Sequence, residues 1–117
     1  MGKLSTHVLD TMHGTPAGGV AIELFGLSTG GRIRLIQAHT NADGRCDQPL
    51  LQGQALATGR YELVFHVGAY FKGIGVLLPD PSFLDQVTIN FGVADPEQNY
   101  HVPLVVTPWS YSTYRGS

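Results

Sequence analysis

A single cysteine, Cys46, stands in the 117-residue chain. No intramolecular disulfide can hold the fold, and nothing in it calls for an oxidising compartment. Charge is scarce too: Asp, Glu, Lys and Arg make up 14% of the residues, against roughly 25% in ordinary globular chains, which points to surface covered in an oligomer. Seven basic residues against nine acidic ones leave a net charge of −2, so there is no positive field to attract phosphate backbones or anionic membranes. The most apolar pieces, Val76 to Leu78 and Val105 to Val106, are a few residues long, far short of the ~20 that cross a bilayer. Residues Met1 to Asp10 also lack the apolar core of a secretory leader and read as mature protein. These absences predict a cytoplasmic protein with no nucleic-acid and no membrane partner. At this length one domain, residues 1–117, can bury roughly two thirds of its unfolded surface. That is too little for a deep enclosed cavity, so an active pocket would have to draw on a neighbouring subunit.

What is present is alternation. Val20, Ile22 and Leu24, then Ile33 and Leu35, then Tyr61, Leu63, Phe65 and Val67, then Val87, Ile89 and Phe91 recur with period two, each predicting a strand with one face toward a core. Leu4 to Leu9, Tyr100 to Thr107 and Trp109 to Tyr114 bring the count to seven. Asn41 to Gly44, Thr58-Gly59, Pro79 to Pro81, Asp95-Pro96 and Thr107-Pro108 supply turns about every ten positions, a spacing typical of all-β sandwiches and barrels. Only Gly68 to Gly73 breaks the period, and its bracketing glycines leave room for a turn or two of helix.

Among the five histidines no two stand at a tight ligand spacing, and no carboxylate joins them in a metal signature; no metal or cofactor is expected. His7 shares a strand face with Ser5 and Leu9, and His101 opens the strand His101 to Val106. Each is either a hydrogen-bonded surface histidine or one of a general acid/base pair, since imidazole titrates near neutrality without tuning. Spacing alone leaves both open. Arg45 follows the Asn41 to Gly44 turn directly. It is either a solvated edge arginine or a planar fork gripping the edge of a flat ligand, and its charge would disfavour protonation of a nearby imidazole. Cys46 has no helix N-terminus or base beside it to make it a nucleophile. Ser110 to Tyr114 is rich in hydroxyls, and the Arg115-Gly-Ser117 tail alone would be read as frayed. No nucleophile elbow, P-loop or dinucleotide fingerprint occurs.

At these residues the chain resembles the 5-hydroxyisourate hydrolases, also called transthyretin-related proteins. The marks are Leu4-Ser-Thr-His-Val-Leu-Asp10, Gly14-Thr-Pro-Ala17, Thr40-Asn-Ala-Asp-Gly-Arg45, Tyr100-His-Val-Pro-Leu104 and the closing Tyr114-Arg-Gly-Ser117. Transthyretin, a hormone carrier, shares the Ser-Tyr-Ser-Thr strand but lacks the closing tetrapeptide and the two histidines, so the match points to the enzyme branch. The resemblance implies a prealbumin-like β-sandwich of seven to eight strands with one short helix. It also implies a homotetramer, a dimer of dimers with its sites in a channel between dimers. The implied reaction is hydrolysis of 5-hydroxyisourate in urate breakdown. Carried over by motif, His7, Arg45, His101 and Ser117 are the catalytic residues, and His7, Arg45, Tyr114 and Arg115 bind the substrate. The competing expectation is a non-catalytic carrier of a flat aromatic ligand.

Overall fold

The computed structural model describes all 117 residues. Nine strands form two sheets: β1 (Lys3–Asp10), β2 (Thr15–Pro16), β3 (Ala21–Ser28), β4 (Gly31–His39), β5 (Leu51–Gln52), β6 (Gly59–Phe65), β7 (Val87–Val93), β8 (Tyr100–Val106) and β9 (Tyr111–Thr113). Seven are principal strands, while β2 and β5 are two-residue additions along one edge of β1. The first sheet runs β2-β1-β8-β9 with β5 also on β1, and the second runs β4-β3-β6-β7. Between β6 and β7 sits α1 (Val67–Gly73), a single short helix. The architecture is a two-sheet sandwich, one of the two all-β forms the alternation leaves open, and it carries the one short helix that the family resemblance implies.

Period-two alternation becomes two faces. Leu4 and Val8 of β1 and Val102, Leu104 and Val106 of β8 point inward, as do Ile22 and Leu24 of β3, Leu63 and Phe65 of β6, and Val87 and Val93 of β7; all belong to one core cluster. Burial of each such side chain is worth about 1.5–3 kcal/mol, which fixes register, because a one-residue slip would turn a whole strand inside out. Thr6, also inward, satisfies its hydroxyl by donating to the Val102 carbonyl at 2.7 Å.

Two expectations are corrected. Ile33 and Leu35 do not face the core: they are 68% and 43% exposed. β4 is an edge strand, and the β3·β4 register slips between Leu24 and Phe25, pairing Leu24 with Ile36 but Phe25 with Arg34. The bulge leaves Leu35 without an opposite residue, and Ile36 and Ala38 pack on the core instead. Trp109 is likewise not in a strand. The Thr107 hydroxyl accepts from the Trp109 and Ser110 N–H groups at 3.1 and 3.0 Å, a local side-chain turn that delays β9 to Tyr111.

One inward residue is a carboxylate. Asp10, fully buried, accepts from the His13 ring Nδ1 at 2.6 Å, the His13 N–H at 3.0 Å and the Tyr70 hydroxyl at 2.8 Å, tying β1 to the following turn and to α1. Burial alone would raise its pKa, but the hydrogen bonds from His13 and Tyr70 outweigh it and hold the carboxyl below its ordinary 3.8. The Tyr70 phenol, buried against that carboxylate, is pushed up to about 12. A carboxyl depressed on folding stabilises the fold above its unfolded pKa, and that stability is lost as pH falls through the folded value. Unfolding titrations should therefore show stability declining as pH drops below about 4, with a shallower decline in Asp10→Asn.

Candidate active site

Residues of β1 that point away from the core are Lys3, Ser5, His7 and Leu9. Because β1 and β8 run parallel with Ser5 opposite His101 and His7 opposite Pro103, the outward imidazoles of two segments nearly a hundred residues apart share one sheet face, one step apart along the ladder. Sequence distance is cancelled by topology.

A turn brings the guanidinium residue to the same face. The Asn41 side-chain oxygen accepts from the Asp43 and Arg45 N–H groups at 2.9 and 3.2 Å, and the Gly44 carbonyl accepts from the Val8 N–H at 2.8 Å. Arg45 thereby bridges His7 in antiparallel fashion. Gly44 is required twice over: its φ is +76°, and a β-carbon there would collide with the Val8 carbonyl and crowd the His7 ring at 3.3 Å. Gly44→Ala should destabilise the fold by more than about 1 kcal/mol, measured by denaturant melts, and should displace His7 together with Arg45.

The other side of the site is closed by the tail. Gly116 exchanges two backbone hydrogen bonds with His101, donating at 2.8 Å and accepting at 3.2 Å. A β-carbon on Gly116 would lie 3.1 Å from the His101 Cβ, so the tail backbone rests on the imidazole-bearing residue. The tail is thus docked through Gly116, and the Ser117 that follows it is exposed.

Each imidazole is held by one nitrogen. The His7 Nε2–H donates to the Asp43 carbonyl at 2.8 Å; a carbonyl can only accept, so the neutral ring carries its lone pair on Nδ1. The His101 Nδ1 lies 2.9 Å from the Ser5 hydroxyl, leaving Nε2 free. Burial, and then the Arg45 guanidinium and the His7 imidazole nearby, hold the His101 pKa below its ordinary 6.5, so this imidazole is neutral at pH 7. The Cys46 thiol is pushed up by burial and by Asp47, the opposite of what a nucleophile needs.

The structure brings His7, Arg45 and His101 together and lays Gly116 over His101. Tyr114 is exposed on the tail, two residues before Gly116. Arg115 turns elsewhere: its guanidinium donates to the Gln98 side-chain oxygen and the Asn99 carbonyl at 3.0 and 3.1 Å and stacks 4.5 Å over the Tyr100 ring. No three His, Cys, Asp or Glu side chains converge as a metal cluster. The nearest hollow, between Ser5, Arg45, Cys46, Asp47 and Gln48, is small, about 180 Å³. A larger one, about 400 Å³, lies away from the site around His39, His66 and Tyr70.

On the opposite sheet the outward charges pair among themselves, Arg34 with Glu23 at 3.3 Å and Arg32 with Glu62 at 3.2 Å, a solvated face of little energetic consequence, and the His66 ring just beyond β6 hydrogen-bonds Glu23 at 2.8 Å. Arg45 makes no ion pair. Sequence reading does not single out Ser5, Asp43 and Gly116 as parts of this arrangement. The Ser5 alternation with His7 was a signal for the first, but its pairing with His101 depends on the β1·β8 register.

A family model described as HIUase/Transthyretin family matches residues 4–116. The chain belongs to that family. Among HIUase/Transthyretin relatives, a 5-hydroxyisourate hydrolase of Ralstonia nicotianae is 59% identical over 117 residues, covering 100% of both chains. A crystal structure of (S)-allantoin synthase superposes with TM-score 0.94 at 43% identity, covering 99% of this chain, which spans 44% of that longer one. Sea bream transthyretin, crystallised with thyroxine, superposes with TM-score 0.87 at 26% identity, covering 97% and 94% of the two chains.

Proposed function

We propose that this chain, as a single domain, hydrolyses 5-hydroxyisourate to 2-oxo-4-hydroxy-4-carboxy-5-ureidoimidazoline in urate degradation, at the face carrying His7, Arg45 and His101. Full-length 59% identity to a 5-hydroxyisourate hydrolase supports the reaction. The docking of the Arg115 to Ser117 tail on His101 is the observation that carries the site. Hydrolysis of a cyclic amide adds water across a C–N bond: the water oxygen bonds to the ring carbonyl carbon, one proton goes to a base, and the nitrogen leaves with a proton from an acid. His101, neutral at pH 7, is the base, acting through Nε2. Arg45 grips the planar ring and stabilises the oxyanion, His7 supplies the second proton-transfer group, and the Ser117 hydroxyl assists. Tyr114 lines the pocket. Arg115, committed to Gln98, Asn99 and Tyr100, braces the tail.

An open face cannot exclude water by itself. The low charge and the exposed Tyr114 of the tail support burial of this surface in a tetramer, a dimer of dimers whose channel completes the site; the cytoplasm is the compartment the sequence leads one to expect. The test is to generate 5-hydroxyisourate with urate oxidase and follow its ultraviolet decay with and without the protein. Acceleration supports the hydrolase, and unchanged decay refutes it. The carrier reading is favoured only by the transthyretin likeness; it predicts tight thyroxine binding without acceleration.

A further inference from the structure

One side-chain polar contact to the proposed base comes from outside the residues assigned so far. Ser5 stands opposite His101 in the parallel ladder, and its hydroxyl lies 2.9 Å from Nδ1. A hydroxyl can donate or accept, but the two orientations give opposite tautomers. If the hydroxyl donates to Nδ1, the proton of the neutral ring sits on Nε2, and the nitrogen facing the substrate cannot accept one. If it accepts from Nδ1–H, the lone pair is on Nε2. Resting on the hydrolase reading, we propose that Ser5 is the positioning residue of the site, accepting from His101 Nδ1–H so that Nε2 is presented as the proton acceptor.

This orientation strengthens during turnover, because the imidazolium formed when Nε2 takes a proton makes a charge-assisted bond to the same oxygen. Ser5 partly offsets the other surroundings of His101. Lys3 and His7 lie on the same face of β1, Arg45 and Asp47 on the adjoining loop, and Tyr114 on the tail. Arg45 and His7 oppose protonation, and Ser5 is the hydroxyl on β1 that can favour it. Ser5 also lines the small hollow beside Arg45, so the same side chain borders the space next to the base.

The test compares Ser5→Ala and Ser5→Thr with the unaltered chain. Ser5→Ala should lose about tenfold in kcat with KM within about twofold, the pattern of a lost transition-state contribution. The acid limb of its kcat/KM profile should move to lower pH, since the imidazolium has lost an acceptor; Ser5→Thr, which keeps a hydroxyl, should restore both. Unchanged kinetics in Ser5→Ala, or an acid limb moving to higher pH, overturns the proposal. Nitrogen-15 NMR of the His101 ring reads the tautomer and pKa without turnover. Nδ1–H in the neutral ring, lost as the preferred tautomer in Ser5→Ala, is the expected result, and Nε2–H in the unaltered chain refutes it. Failure of the hydrolase reading would show separately, as no acceleration by the unaltered protein.

Discussion

His101→Ala should lower kcat for 5-hydroxyisourate hydrolysis by at least ~100-fold, the usual loss when a general acid/base is removed. The reasoning is geometric first. The imidazole is anchored by Ser5 at one nitrogen and pressed by Gly116 along its Cβ side, so its free nitrogen has a defined direction. Electrostatics then set its protonation: burial, Arg45 and His7 keep it neutral below the usual imidazole range. The unaltered protein should therefore hold its activity down through pH 6.5, and the acid limb should lie below that value. In His101→Ala that limb should vanish along with most of the rate. Stopped-flow absorbance across pH 5–8 measures both; a variant turning over near normally would remove His101 from the proton-transfer step.

Removing Arg115 to Ser117 should be at least as damaging, with kcat/KM falling ~100-fold or more, since even small misplacement of a catalytic group costs that much. Three effects coincide. The Ser117 hydroxyl disappears, the two backbone hydrogen bonds between Gly116 and His101 are lost, and the Tyr100 ring loses its stacked guanidinium. Stability should change far less, because the tail contributes no residue to the core cluster. The truncated chain melting close to the full one while failing to accelerate decay is the expected pair of results. Retained turnover would move the chemistry away from the tail.

Much of this fold is legible in the sequence because alternation is a physical constraint. Val20, Ile22, Leu24, Leu63 and Phe65 all face the core as their spacing requires. The failures have specific causes. Ile33 and Leu35 have the same alternation, but an edge position and a bulge undo its meaning, and neither leaves a trace in β4 itself. Trp109 has strand propensity that the Thr107 hydroxyl overrides. The candidate site is legible in part: motif resemblance selects His7, Arg45, His101 and the tail, and alternation puts Ser5 beside His7. What no spacing contains is that β1 pairs with β8 in parallel, and this decides which atoms touch.

That pairing of β1 with β8 also sets when the site comes into being. Ser5 and His101 are 96 positions apart, and almost no local contact anticipates their meeting, so loop-closure entropy must be overcome before the contact gives anything back. On a ribosome, the β1 segment waits through the synthesis of the whole second sheet with its neighbouring lane empty. Catalytic competence then arrives late and nearly all at once, when the segment from Tyr100 to Val106 slots in beside it. A partly made or clipped chain lacking that segment would lose His101 together with the inward Val102, Leu104 and Val106 that cover the second sheet, so the same seven residues close the sandwich and complete the site.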